Sequence, residues 1–344
     1  MASKTIKTNN EGDTEYLEKF GYRQYEGIRT SRLRRILSII EFEVRSTWSR
    51  STFGKVLLVI LMVMNLFIIL FSSELINAFQ SGYPGGRQAY INDALHSFVS
   101  TYIGFMDTGY IIAGPEYQSF GEPNLGFLLI ALFAIAGSGL FADDKNGKVV
   151  EIYLSRITKK EYVIGKIGAI LTYINLFLMI PIMVVVTLML QSWGEPQIQY
   201  WELYLRIIWF SFLYSLVIGM IILFLSSILE KRNYASLAFF LIYLVGSIFS
   251  LEAIQSNPSN EFLILISPDY FLALLAYVAL GDYDLGFGGA VMHGDSDSSG
   301  VNGLNLNDGA GLEYWHIYGI TFAIIALFVP LLSWKINRLT TEEL

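Results

Sequence analysis

The chain has 344 residues, a formal net charge of −7 and a mean hydropathy of +0.49. Charged residues make up only 15%, against about a quarter in soluble domains, so a soluble globular domain is excluded and a polytopic membrane protein is expected. Cysteine is absent, which removes disulfides and thiolate metal sites and leaves the redox compartment unreadable.

Residues 1–30 are polar and mixed in charge. They read as a cytoplasmic tail, partly ordered around Tyr16, Leu17, Phe20 and Tyr22, with no apolar run that would make a cleavable signal. Residues 31–52 read as an amphipathic helix with Ser31 as N-cap. Leu33, Ile36, Leu37, Ile40, Val44 and Trp48 share one face, and Arg32, Arg34, Arg35, Arg45 and Arg50 surround it. Such contrast suits a helix in the membrane interface, its arginines on anionic headgroups. A helix packed on a soluble partner is the other reading.

The first span is expected over 55–71, reaching toward 75, with Asn65 its one strongly polar interior residue. Residues 72–123 carry Glu74, Asp93, Asp107, Glu116 and Glu122 against Arg87, and an acidic, lysine-poor segment belongs outside. The second span, 125–141, is dense in Gly, Ala and Ser, which permits close helix approach.

Residues 142–166 interrupt the apolar pattern and hold Lys145, Lys148, Arg156, Lys159, Lys160 and Lys166. Basic residues at span ends mark the cytoplasmic side. After the turn signal Asn146-Gly147, residues 149–154 read as a short helix offering Val150, Ile152, Tyr153 and Leu154 to a soluble partner. The alternative is a solvated loop with an ordinary positive-inside cluster.

The third span is expected over 167–190, with Pro181 as a kink. A short outer loop follows, with Trp193, Tyr200, Trp201 and Tyr204 as an interface belt. The fourth span covers 203–229, Glu230 to Asn233 make a cytoplasmic turn, and the fifth covers 234–253. Residues 262–280 are apolar but interrupted by Pro268-Asp269. Residues 281–313 have no Lys or Arg and several Asp. The last span is 315–334, followed by Lys335 and Arg338. If 262–280 crossed the membrane, the acidic loop would be cytoplasmic and Lys335 and Arg338 outside, against the positive-inside bias. The expectation is therefore six spans with both termini cytoplasmic. Residues 262–280 would enter and leave on the outer side, where surrounding protein makes irregular backbone tolerable.

No Gly-x-x-x-x-Gly-Lys-Ser/Thr motif occurs; Gly54-Lys55, Gly147-Lys148 and Gly165-Lys166 each lack the upstream Gly. His96, His293 and His316 are scattered, and no hydrolase or zinc signature is present. The spans carry no interior Asp, Glu, Lys or Arg apart from Arg206 and Glu252 near ends, which disfavours ion-coupled transport. Asp295, Asp297 and Ser299, followed by Gly300, open like a calcium loop, but Leu306 stands where the closing acid is expected; Asp308 or Glu313 would have to substitute. A flexible polar loop is the other reading. Asn65, Asn175, Ser211 and Ser215 are candidates for a substrate path at a dimer interface; interhelical hydrogen bonding is the alternative.

The segment from Gly147 through Leu154, Ser155-Arg156, Thr158-Lys159 and Gly165-Lys166 resembles the intracellular loop of type-2 ABC exporter permeases. Asp143-Asp144-Lys145 and the missing proline depart from that pattern, while Ile266-Ser267-Pro268 is similar to the approach to its outer re-entrant element. Tyr25 to Arg29, with Arg32, Leu33, Arg35 and Ile36, resembles archaeal members. The resemblance implies an all-α integral membrane fold over 53–344. It would comprise six transmembrane helices, the N-terminal elbow helix, a cytoplasmic coupling helix and an outer re-entrant helix pair, with extracellular segments at 72–123 and 257–314. It implies coupling to separate ATPase subunits through Val149, Glu151, Ile152, Tyr153, Leu154 and Arg156, with ATP and magnesium held by the partner. A second permease copy, membrane lipids and extracellular accessory proteins are the other expected partners, in the plasma membrane and without nucleic acid. The rival reading is a membrane scaffold for an extracellular assembly, without transport.

Overall fold

The structure, a computed structural model, describes residues 31–50, 52–79, 125–147, 150, 153, 157–192, 194, 196–256, 268–280 and 314–339. Among these the fold is all α. The helices are α1 (Arg32–Arg50), α2 (Thr52–Phe79), α3 (Leu125–Asn146), α4 (Lys159–Phe177), α5 (Met179–Ser192), α6 (Trp201–Ile228), α7 (Arg232–Ser256), α8 (Pro268–Leu280) and α9 (Tyr314–Leu339). One 3-10 turn, Gln197–Tyr200, leads into α6.

Among the described residues, three stretches are long and apolar enough to cross a membrane: Lys159–Leu188, Gln197–Ile228 and Trp315–Lys335. The shortest has 21 residues and extends about 31 Å, the thickness of a bilayer core. The α1–α2 pair makes a fourth candidate, bent by 87° where the helices meet. The exterior is apolar, with Val59, Met62 and Phe67 of α2, Leu241 and Val245 of α7, and Phe322 and Leu327 of α9 exposed. Uncovered apolar surface on this scale marks a membrane protein.

α6 is the centre. Its buried residues include Leu203, Ile207, Phe210, Tyr214, Ile218 and Ile222, and it packs against α3, α4, α7, α8 and α9. Small residues let three helices meet there. A Cβ on Gly137 of α3 would stand 2.5 Å from Ile222 Cγ2 and 2.8 Å from Ile170 Cδ1. One on Gly219 of α6 would stand 3.2 Å from Ile170 Cγ2. This is the close approach expected from the small residues of the second span.

Helix limits depart from the apolar runs where local chemistry extends them. α2 continues to Phe79, beyond the run ending near 71–75. α4 begins at Lys159, well before the run at Ile167, because Thr158 and Glu161 form a capping box. The Glu161 N–H donates to Thr158 Oγ1 and the Thr158 N–H to Glu161 Oε2, satisfying two amides of the first turn. The Pro181 kink is realised as a break at Leu178, between α4 and α5. Proline has no N–H for the carbonyl four residues back, and the Leu178 N–H is shared between Ile174 O and Asn175 O.

α8 starts at Pro268, where a missing N–H costs nothing. Its 13 residues span about 20 Å, too short to cross the core. Its C-terminus is held by Arg206, which donates to Leu280 O at 2.7 Å and pairs with Glu202 at 2.6 Å. The Tyr318 hydroxyl of α9 donates to Val278 O.

Candidate functional site

α1 lies along α4, and its apolar stripe divides. Ile39 and Glu43 are buried, and Ile36, Ile40 and Thr47 are half-buried beside them. Leu33, Leu37 and Trp48 stay open, at 73%, 61% and 44% exposure. The inner half rests on two glycines of α4. A Cβ on Gly165 would stand 2.7 Å from Ile39 Cγ2, and one on Gly168 2.5 Å from Ile40 Cδ1. The arginines divide too. Arg35 donates to Glu161 Oε1 at 2.9 Å, and Arg32, largely solvated, stands 3.9 Å from the same oxygen.

Two turns further along, the contact becomes a buried ion cluster. Lys166 Nζ of α4 lies 2.7 Å from Glu43 Oε1 of α1 and 2.6 Å from Asp144 Oδ2 of α3. The Tyr162 hydroxyl donates to the same Asp144 oxygen at 2.6 Å. Lys166, Glu43 and Asp144 are all buried. Ions removed from water persist only when paired and hydrogen-bonded, and here each charge meets its opposite. Two aromatic rings complete the enclosure, with Nζ 5.3 Å from the Tyr162 centroid and 5.9 Å from that of Tyr153. Both lie within cation–π range. Phe141 meets Tyr162 edge-on. The cluster therefore joins α1, the end of α3, the start of α4 and the segment between α3 and α4.

Beside it, Lys145 Nζ donates to Ser227 O and Leu229 O, both at 2.7 Å. These are terminal carbonyls of α6, the negative end of that helix. Lys145 lies past the apolar part of α3. Burial and then the nearby Lys335 pull its ammonium down to about 8, with Glu230 opposing.

Of the expected coupling residues, Tyr153 is described. It is half-buried on Tyr162, and both it and Val150 are helical. Val149, Glu151, Ile152, Leu154 and Arg156 lie outside the described residues, as does the calcium motif at Asp295, Asp297 and Ser299. Among the described residues no group of three or more His, Asp or Glu could hold a metal ion. The substrate-path candidates do not form one constellation. Asn175 Nδ2 donates to Ser215 Oγ at 2.9 Å across the α4–α6 seam. Ser211, one turn from Ser215, is buried and its hydroxyl has no partner among the described residues. Asn65 turns back to Leu61 O within α2.

Sequence reasoning did not find Glu43, Asp144, Tyr162 or Lys166 as a group. One signal was present: Glu43 interrupts the helical series Ile36, Ile40, Thr47 on α1, and an acid on an inner face needs a buried cation.

The described helices form an all-α, membrane-type bundle whose α1, α3 and α4 are tied together by a buried ionic cluster. The model of the family described as "ABC-2 family transporter protein" matches residues 99–282, more than half of the chain, and the chain belongs to that family. The matched region runs from α3 through α8 and contains the segment between α3 and α4. No curated relative matches the sequence.

Proposed function

We propose that the chain is the permease subunit of an ATP-driven exporter. It would work as a dimer with separate ATPase subunits that dock on residues 149–156. Nucleotide binding draws the ATPases together, the docked segment follows, and the bundle is driven between two states that hold the substrate path differently. The observation that carries this reading is the Glu43–Lys166–Asp144 cluster. It fastens both flanks of the docking segment to α1, so a push from below reaches several helices at once.

The same reading takes α2, α3, α4–α5, α6, α7 and α9 as six spans, with both termini cytoplasmic. Arg206, near the outer end of α6, holds the end of α8, which supports α8 as the outgoing limb of an outer re-entrant pair. α1 lies as an elbow in the inner interface, Leu33, Leu37 and Trp48 toward acyl chains and Arg34 and Arg45 toward headgroups. A path involving Asn175 and Ser215 requires the α4–α6 seam to open.

Affinity purification from native membranes is the test. A co-purifying subunit with a phosphate-binding loop is expected, its hydrolysis rate modulated by the permease. Replacing Glu151, Tyr153 or Arg156 by Ala should abolish that modulation while leaving the permease in the membrane. Purely extracellular partners, or unchanged modulation in all three variants, would overturn the reading.

A further inference from the structure

α3 and α6 are joined through backbone as well as side chains. The Ser226 hydroxyl of α6 accepts from the Phe141 N–H at 3.0 Å and the Ala142 N–H at 3.1 Å, and donates to Ser138 O at 2.7 Å. Ser138 O and the Ala142 N–H are the pair that would close one turn of α3, so a side chain of one helix is set into the ladder of another. Ser226 is fully buried. It reaches that far because Gly137, one turn away, admits Ile222. One turn beyond, Lys145 of α3 holds the Ser227 and Leu229 carbonyls. The cytoplasmic ends of α3 and α6 thus share five hydrogen bonds within about two turns of α3, on a seam separate from the cluster at Lys166.

We propose that Ser226 and Lys145 form a clasp that carries displacement of the segment after α3 across to α6 and to the turn into α7. They are positioning residues for transport, and the clasp rests on the coupling reading above. A hydroxyl bonded to backbone on both its donor and acceptor sides resists sliding of one helix past the other, which a purely apolar seam does not. The two lysine bonds fix the remaining freedom, rotation of α3 about its own axis. Asp144 turns to α4 while Lys145 turns to α6, so adjacent residues divide one motion between two helices.

The chain has no cysteine, so paired spin labels can be placed without background. One pair, Asn146→Cys with Asn233→Cys, brackets the clasp; both residues are exposed. A second, Lys160→Cys with Ile198→Cys, runs along the bundle. Distances are measured in the complex with the co-purified ATPase, in nanodiscs, before and after trapping with ATP and vanadate. The second pair should shift on trapping in every protein. The first should stay fixed in the otherwise wild-type chain and shift by about 2 Å or more, the scale of helix displacements at interfaces, in Lys145→Met and in Ser226→Ala. Lys145→Met carries the test alone if Ser226→Ala does not accumulate. A first pair that shifts equally without either substitution, or stays fixed with both, overturns the clasp and leaves the coupling reading standing. If neither pair responds in the wild-type background, the coupling reading falls and the clasp's role falls with it.

Discussion

Lys166 and Glu43 are 123 positions apart in the chain, yet their charged groups meet at 2.7 Å in a place almost closed to solvent. Asp144 stands on the other side of the same ammonium. Lys166→Met would leave two buried carboxylates without their cation, at a cost of about 3–5 kcal/mol. The expected result is a large fall in the melting temperature of the detergent-solubilised protein. Adding Glu43→Gln and Asp144→Asn to Lys166→Met should recover most of it. A single variant that melts like the wild type would contradict the burial of the cluster.

The glycine contacts under α1 make a graded prediction. The Cβ missing at Gly168 would press on Ile40 Cδ1, the free end of a flexible side chain. The one missing at Gly165 would press on Ile39 Cγ2 and, at 3.0 Å, on Ile39 Cβ, which only backbone movement can relieve. Gly165→Ala should therefore cost more than Gly168→Ala, on the order of 1–3 kcal/mol. It should also loosen α1, read as faster hydrogen exchange over 36–47. Equal effects would contradict the packing.

Lys145 contributes a pH dependence of definite sign. Its folded value lies near 8, below the ordinary lysine value of about 10.4. Between these values the unfolded chain binds a proton that the folded chain has released, so stability rises with pH across that window. Below about 8 both states are protonated and the burial penalty is fully present. The melting temperature of the wild type relative to Lys145→Met should therefore increase from pH 7 to pH 9.5. A flat or falling difference would count against the burial of this ammonium.

Arg206 gives a test at the other end of the bundle. Arg206→Met removes the donor to Leu280 O and the partner of Glu202. Loss of a charged hydrogen bond to a helix end costs about 1–3 kcal/mol. The effect should be local, with faster hydrogen exchange across 276–280 and little change over α1. Uniform acceleration along the chain would mean that α8 is not held separately.

Elements came through from the sequence where one-dimensional pattern suffices. Apolar length marked α4–α5, α6 and α9, helical spacing marked α1, and Pro181 marked the broken helix within three residues. Partners did not come through. Asp143-Asp144 stood out only as a departure from the resembled loop, and nothing linear says that Asp144 faces Lys166. The stripe on α1 read as one surface because periodicity reports which residues share a side, not how many neighbours compete for it. Ser226 looked like any span-end serine, since a hydroxyl that bonds another helix's backbone leaves no mark on composition.

The interruption at Leu178 has a mechanical corollary. α4 is stapled to α1 and α3 at its lower end, but the ladder is weakened where Pro181 has nothing to offer the Phe177 carbonyl. Bending at that level is softer than in the unbroken α6 alongside. The part of the bundle stapled to α1 and α3 can therefore swivel relative to α5.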